Sequence, residues 1–267
     1  MKNNSSSKKI LFLGNSLTLK GVDLELFNSK LSEKGIDSFW TGKATPDGTT
    51  ALEWYLVFHK YFVRENVTPD IIVIGFARTH LDDRARWNLQ RMGAFYCGRD
   101  QLLELFRDHI HSFGDRTVVL LAGTSSMFSV SDRLRRRILD LCLPNYQSGL
   151  RKIRKVLLTD SRFESRDQVN RYIALKKLVD LFKENDVLAV FVAMPNADSW
   201  DIKPEQVKII EAKGMKVIDC RDAKLIPSLH FHDVSHLNEE GAKIFTALLA
   251  ERFVDVMDKS ECDIWKN

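Results

Sequence analysis

The chain has 267 residues, of which 44% are hydrophobic, and a formal net charge of +4 from 40 basic and 36 acidic side chains. This length suits one large α/β domain or two small ones, and the balanced charge gives no argument for nucleic-acid binding. No apolar run reaches the ~18 residues that a membrane span needs, and the polar N-terminus lacks the apolar core of a signal peptide. The four cysteines are widely spaced without a C-x-x-C motif, so neither a zinc site nor a redox pair is predicted, and a cytoplasmic location is expected.

Strand and helix patterns alternate along the chain. Runs of consecutive apolar residues predict buried strands, and apolar residues at helical spacing predict amphipathic helices. This alternation predicts an α/β fold with a parallel sheet. The predicted strands are residues 9–13, 36–40, 71–75, 117–122, 187–193 and 215–219, and the predicted helices are residues 21–34, 51–65, 100–111, 168–185, 203–213 and 239–257.

The turn after the first predicted strand places a serine where α/β folds bind ligands. Four apolar residues precede Gly14, which permits a tight turn, and Asn15 and Ser16 follow directly. We therefore expect Ser16 at the carboxyl end of a strand and near the start of a helix, where unpaired backbone N–H groups face a crevice. A serine at such a position is often a simple helix cap, so this stretch alone leaves its role open.

A second informative stretch lies near the other end of the chain. Asp233 and His236 are three residues apart in a predicted loop before the final helix, for which Asn238 is the predicted N-cap. The aspartate can accept a hydrogen bond from one ring nitrogen of the histidine, which leaves the other nitrogen free to take a proton from a hydroxyl group. On its own, the pair is more typical of a solvated loop.

Together the two stretches resemble the opening and closing blocks of the SGNH (GDSL) hydrolase superfamily. Residues 14–17 read G-N-S-L, similar to its G-D-S-L block, and residues 233–236 read D-V-S-H, similar to its D-x-x-H block. The resemblance implies a flavodoxin-like three-layer α/β/α sandwich with a mostly parallel five-stranded sheet. It also implies that Ser16 is the nucleophile, that His236 is the general acid and base, and that Asp233 orients His236.

The oxyanion hole implied by the resemblance is incomplete in this sequence. The family uses the backbone N–H of the nucleophile, a glycine after the second strand and an asparagine after the third. Gly48 is the best match for the glycine, and Asn15 is a further candidate for binding substrate. Where the family has G-x-N-D, residues 75–78 read G-F-A-R. Loss of one donor typically costs on the order of 10²–10³ in rate. Three explanations are open: Arg78 replaces the asparagine and binds the oxyanion or an acidic substrate, another residue supplies the donor, or the site is weak. We favour Arg78 as a site residue.

The loop after the third predicted strand also carries His80, Asp82 and Asp83. One histidine and two acids without further partners are more typical of a solvated loop than of a metal site, so no metal is predicted. The alternative role for Arg78 is structural: a salt bridge to Asp82 or Asp83, which would neutralise its charge.

The domain prediction is a flexible tail at residues 1–8 followed by a single domain at residues 9–267. Arginines and lysines at 133–137 and 151–155 make an insertion at about 124–170 locally basic. Such a run is usually a solvated helix face, and it can instead steer an anionic substrate.

The sequence therefore predicts a serine-dependent ester hydrolase or O-acyltransferase that works through an acyl-enzyme. The resemblance implies an acylated, especially acetylated, carbohydrate or another small ester as substrate, with no cofactor, no nucleic acid and no membrane span. The missing asparagine favours an alternative, a catalytically degenerate binding protein on the same fold. A third hypothesis, a nucleotide- or phosphate-binding protein, has no glycine-rich motif to support it. The acyl group, the acceptor and the oligomeric state do not follow from the sequence.

Overall fold

The computed structural model describes residues 8–83, 87–146, 148–149 and 171–260. The chain divides into two compact units. The first unit comprises Met1–Ala85 and Tyr172–Asn267, and the second comprises Arg86–Arg171. Most of the predicted tail, and residues 150–170 of the predicted insertion, lie outside the described residues. The expectation of a single domain therefore stays a prediction.

A five-stranded sheet forms the centre of the first unit, and each of its strand pairs is parallel. The strand order β2-β1-β3-β4-β5 is that of flavodoxin-like folds, so the predicted fold class is confirmed. Strand β3 lies in the middle and is buried at every position, as its unbroken apolar sequence predicts. The strands are β1 (Lys8–Leu13), β2 (Phe39–Ala44), β3 (Ile71–Phe76), β4 (Leu188–Ala193) and β5 (Lys216–Asp219).

Ten α-helices are present in the described part of the chain, and the fourth to seventh of them belong to the second unit. Within the described residues, none is both long enough and apolar enough to cross a bilayer. The helices are α1 (Ser16–Gly21), α2 (Leu24–Glu33), α3 (Ala51–Phe58), α4 (Leu89–Arg91), α5 (Leu102–Asp108), α6 (Phe113–Thr124), α7 (Ser126–Cys142), α8 (Ile173–Glu184), α9 (Pro204–Glu211) and α10 (Glu239–Ser260).

Helices cover both faces of the sheet and give the first unit three layers. On one face, Phe27 of α2 packs edge-to-face on Phe12 of β1 with ring centroids 5.0 Å apart, and on Phe253 of α10 at 5.6 Å. Behind the other face, Phe58 of α3 packs on Phe182 of α8 at 4.9 Å. These aromatic pairs join α2 to β1 and α10, and α3 to α8.

The prediction of a strand at residues 117–122 is wrong, because these residues lie within α6. Ser112 caps that helix, accepting a hydrogen bond from the backbone N–H of Asp115. Val119 is fully buried, whereas Leu120 is 45% exposed, so the apolar run wraps around a helix. A short apolar run fits a buried strand or a helix equally well, and the capping serine before it is a local signal that favours the helix.

The second strand begins later than predicted and continues beyond residue 40, where the predicted strand ends. The backbone N–H of Ile36 donates to the carbonyl oxygen of Leu31 and so closes the end of α2. Strand pairing therefore starts at Phe39 and continues to Ala44, opposite Leu13 of β1. This pairing carries the following loop to the same edge of the sheet as the end of β1.

Candidate active site

Ser16 is the first residue of α1, and two residues, Gly14 and Asn15, separate it from the end of β1. The side-chain oxygen of Asn15 caps this helix by accepting a hydrogen bond from the backbone N–H of Leu17 at 3.0 Å. Gly14 allows the turn to close, because a Cβ at that position would collide with the side chain of Thr18. The backbone N–H of Ser16 lies in the first turn, where a helix provides no acceptor of its own.

Asp233 and His236 are held together by a tight loop. One carboxylate oxygen of Asp233 accepts hydrogen bonds from the backbone N–H groups of Ser235 at 2.9 Å and His236 at 2.8 Å. Both carboxylate oxygens also lie 2.9 Å from Nδ1 of His236. A carboxylate can only accept, so Nδ1 carries the proton and Nε2 is left as the acceptor.

Nε2 of His236 lies 2.8 Å from Oγ of Ser16, although the two residues are 220 positions apart in the chain. Carboxylate, imidazole and hydroxyl therefore form one continuous chain of hydrogen bonds. Burial raises the pKa of Asp233, but the N–H groups of Ser235 and His236 and the imidazole ring outweigh it and lower that pKa to about 2. The carboxylate is thus ionised at neutral pH, as an acceptor from Nδ1 must be.

The loop that carries His236 is anchored on α10. The side-chain oxygen of Asn238 accepts from the backbone N–H of Gly241 at 2.9 Å, which confirms Asn238 as the N-cap. The backbone N–H of Asn238 donates to the carbonyl of His230, and Phe231 pairs with Leu237 in a short antiparallel bridge. These contacts fix the imidazole relative to the sheet.

Gly48 lies in the loop after β2, which is tied to the serine turn. The side-chain amide of Asn15 donates to the carbonyl of Thr49 at 3.0 Å, and the hydroxyl of Thr49 lies 3.2 Å from the carbonyl of Gly14. Gly48 has φ of +65°, a left-handed conformation that favours glycine. Asn15 is thus a connecting residue whose amide joins the two loops.

Arg78 lies in the loop after β3, also in a left-handed conformation, with φ of +50°. Its guanidinium group pairs with Asp198 at 3.2 Å, not with either of the acids expected from the sequence. Asp82 instead binds Lys203 at 2.6 Å, and Asp83 caps α8 by accepting from its first two backbone N–H groups. Both acids therefore have structural partners.

His80 follows two residues later in the same loop. Its Nδ1 accepts a hydrogen bond from the backbone N–H of Ala77 at 3.1 Å, and the ring packs edge-on to Trp54. Burial, and to a lesser degree the charge of Arg78, lower the pKa of His80 to about 4. The ring is therefore neutral at physiological pH.

A cavity of about 240 Å³ at the carboxyl edge of the sheet brings these loops together. Of the sequence-predicted site residues, all but Asp233 line it, and Asp233 contacts it only through His236. Seven lining residues were not predicted for the site, and two of them, His80 and Asn196, bring side chains with ring or amide nitrogens to it. Their only sequence signal is that each follows a central strand, β3 or β4. The predicted site residues that line the cavity are Asn15, Ser16, Gly48, Arg78 and His236.

No protein-family model and no curated protein matches the chain. Solved structures do match it over most of its length. A lipase/acylhydrolase from Enterococcus faecalis is 14% identical with a TM-score of 0.46, covering 93% of this chain and 96% of its own. A catalytic mutant of an acetylxylan esterase from Geobacillus stearothermophilus is 14% identical with a TM-score of 0.46, covering 94% and 96%. A GDSL-like lipase from Bacteroides thetaiotaomicron is 12% identical with a TM-score of 0.42, covering 96% and 93%. At these values the matches assign no role to any residue.

Proposed function

We propose that this protein is an SGNH-type, serine-dependent enzyme that cleaves an acyl ester. The observation that carries the proposal is the hydrogen-bonded chain from Asp233 through Nδ1 and Nε2 of His236 to Oγ of Ser16. A serine hydroxyl is a weak nucleophile at neutral pH and needs an adjacent base, and an unprotonated imidazole nitrogen at 2.8 Å is such a base.

The reaction proceeds in two balanced steps. Oγ of Ser16 attacks the acyl carbon while Nε2 of His236 takes the hydroxyl proton, and Asp233 stabilises the resulting imidazolium. Collapse of the tetrahedral intermediate breaks the ester bond, and His236 returns the proton to the leaving alcohol. Water, or the hydroxyl group of an acceptor, then attacks the acyl-enzyme by the same proton transfers in reverse. The backbone N–H groups of Ser16 and Gly48 are the proposed donors to the oxyanion.

The proposed substrate is an acylated carbohydrate or another small ester. The cavity of about 240 Å³ at Ser16 suits a short acyl group, and Asn196 at its edge also lines a cavity of about 680 Å³. The larger cavity contains Trp200 and Arg221 and is roomy enough for the alcohol part of an ester. Whether water or an acceptor hydroxyl resolves the acyl-enzyme depends on what occupies this space.

The test is intact-protein mass spectrometry after incubation with a fluorophosphonate, which labels only an activated serine. We expect one adduct on the wild type and none on Ser16→Ala, and a loss of at least ~10³-fold in turnover of short acyl esters in that variant. The matched control is Ser32→Ala, which removes an exposed hydroxyl from α2 and is expected to be labelled like the wild type.

Two results would contradict the proposal. One is undiminished ester turnover in Ser16→Ala. The other is a wild type that is neither labelled nor active, which would favour the alternative of a catalytically degenerate binding protein. That alternative is motivated by Ala77, which lies where the family has its oxyanion asparagine.

A further inference from the structure

We propose that Nε2–H of His80 is the third oxyanion donor of this site and performs the role of the absent asparagine side chain. The inference rests on the proposed function, because it concerns the same tetrahedral intermediate at Ser16. It concerns a residue that the sequence places in a solvated loop, and it follows from how the ring is held.

The position of His80 suits the role. It lies in the loop after β3, the strand next to β1 in the sheet, and it lines the same cavity as Ser16, Gly48 and His236. The loop that carries it is closed by two hydrogen bonds. The backbone N–H of His80 donates to the carbonyl of Ala77 at 3.1 Å, and the carbonyl of His80 accepts from the backbone N–H of Ala51 at 2.9 Å.

The hydrogen bonds around the ring determine which nitrogen carries the proton. The backbone N–H of Ala77 can only donate, and it lies 3.1 Å from Nδ1 of His80. The side-chain amide nitrogen of Asn15 is also a donor, since its oxygen is engaged by Leu17, and it lies 3.3 Å from Nδ1 and 3.4 Å from Nε2. The amide of Asn15 is about equally close to both nitrogens and does not distinguish them. The backbone N–H of Ala77 contacts Nδ1 alone, so Nδ1 is the unprotonated nitrogen and the proton of the neutral ring is on Nε2.

The charge state also suits a donor. Burial and the charge of Arg78 lower the pKa of His80 to about 4, so the ring keeps a single N–H at neutral pH. A neutral imidazole is a competent electrophile toward a developing oxyanion, as the neutral histidine of triosephosphate isomerase illustrates. It brings no buried cation that would otherwise need a counterion.

The other polar side chains in the cavity are less suited to the role. Arg78 is paired with Asp198, and its side chain is 41% exposed. The amide of Asn15 donates to the carbonyl of Thr49 and holds the loop after β2. Asn196 is the strongest competitor, because its side-chain oxygen is buried and has no hydrogen-bond partner among the described residues. It comes from the loop after β4, one strand further from β1.

The test compares two substitutions that differ in a single donor. His80→Gln places an amide nitrogen close to the position of Nε2, whereas His80→Met has a similar length and no N–H. Both lose Nδ1 as the acceptor for Ala77, and because the amide oxygen of glutamine can accept in its place, the free energy of unfolding of both variants is measured alongside kcat. With a short acyl ester, we expect kcat of His80→Met to fall by about 10²–10³-fold with little change in KM. We expect kcat of His80→Gln to be at least about tenfold higher than that of His80→Met.

Two further arms make the result decisive. In wild-type protein labelled with ¹⁵N-histidine, the nitrogen shifts of His80 should be those of the Nε2–H tautomer, and the Nδ1–H tautomer would overturn the proposal whatever the activity. Asn196→Ala should lower kcat by less than His80→Met does. Equal kcat in the two His80 variants, or a loss confined to Asn196→Ala, would also overturn it.

Failure of this inference is distinguishable from failure of the proposed function. An active, fluorophosphonate-labelled wild type whose His80 variants are equally active refutes only the role of His80. A wild type that is neither labelled nor active refutes the enzyme and this inference together.

Discussion

Burial of His80 couples the stability of this protein to pH. The imidazole is lodged between Trp54 and Asn15 beside Arg78, and its pKa is lowered from 6.5 to about 4. Between these two values the unfolded chain binds a proton at this position and the folded protein does not. The contribution of the neutral ring is therefore complete above pH 6.5 and is lost as the pH falls toward 4.

We expect the free energy of unfolding to decrease between pH 6.5 and pH 4 by up to roughly 3 kcal/mol on account of this one group. The measurement is urea unfolding at a series of pH values for the wild type and His80→Gln. The variant retains the other six histidines, so the difference between the two curves isolates His80. Parallel curves over this pH range would show that the imidazole titrates normally in the folded state.

Some residues of this site could be predicted from the sequence, and others could not. Ser16, Asp233 and His236 belong to two short blocks whose spacing has chemical meaning, and the structure places them within hydrogen-bond reach of one another. The roles of His80 and Arg78 depend instead on the path of one loop and on distant partners. Asp198, which pairs with Arg78, is 120 positions away, so no local pattern could have predicted it.

At the level of elements, the turn between β1 and α1 depends on the absence of a side chain at Gly14. A Cβ there would overlap Cβ and Oγ1 of Thr18, whose side chain is buried and cannot move aside. The overlap lies within the turn that sets the position of Ser16. Strain in this turn therefore lowers the stability of the fold and displaces the hydroxyl group of Ser16.

Gly14→Ala is expected to lower the free energy of unfolding by about 1–3 kcal/mol and to slow fluorophosphonate labelling of Ser16. Chemical denaturation and the labelling rate measure the two effects. Gly114→Ala is the matched control, because its added Cβ comes no nearer than 3.8 Å to another group and lies within α6. It should be neutral or more stable by up to ~1 kcal/mol. If both variants behave alike, the close approach to Thr18 has no energetic consequence.

The elements themselves were predictable where burial is continuous. Strand β3 is fully buried and strand β4 is nearly so, and their uninterrupted apolar runs predict buried strands. The run at residues 117–122 is similarly apolar but lies in α6, where Val119 and Ala122 are buried at helical spacing. Composition alone cannot separate these cases, because the environment that decides between them is provided by other parts of the chain.

At the level of the whole molecule, the second unit is an insertion in the sequence of the first. The carboxylate of Asp83 accepts hydrogen bonds from the backbone N–H groups of Ile173 at 2.9 Å and Ala174 at 3.0 Å. The chain therefore leaves the first unit and returns to it at nearly the same place. The sheet, the helices on both of its faces and the cavity at Ser16 are all formed outside Arg86–Arg171.

We therefore expect the first unit to fold when residues 86–171 are replaced by a linker of about five glycine and serine residues, since a short linker can span ends that lie this close. Thermal unfolding followed by circular dichroism should remain cooperative, with a midpoint within about 10 °C of that of the full chain. Ser16 should still be labelled by the fluorophosphonate. A deletion of equal length shifted to remove α8 is the control, because it exposes Phe58 and should abolish cooperative unfolding. Loss of cooperative unfolding in the first variant would mean that residues 86–171 supply part of the core that the sheet requires.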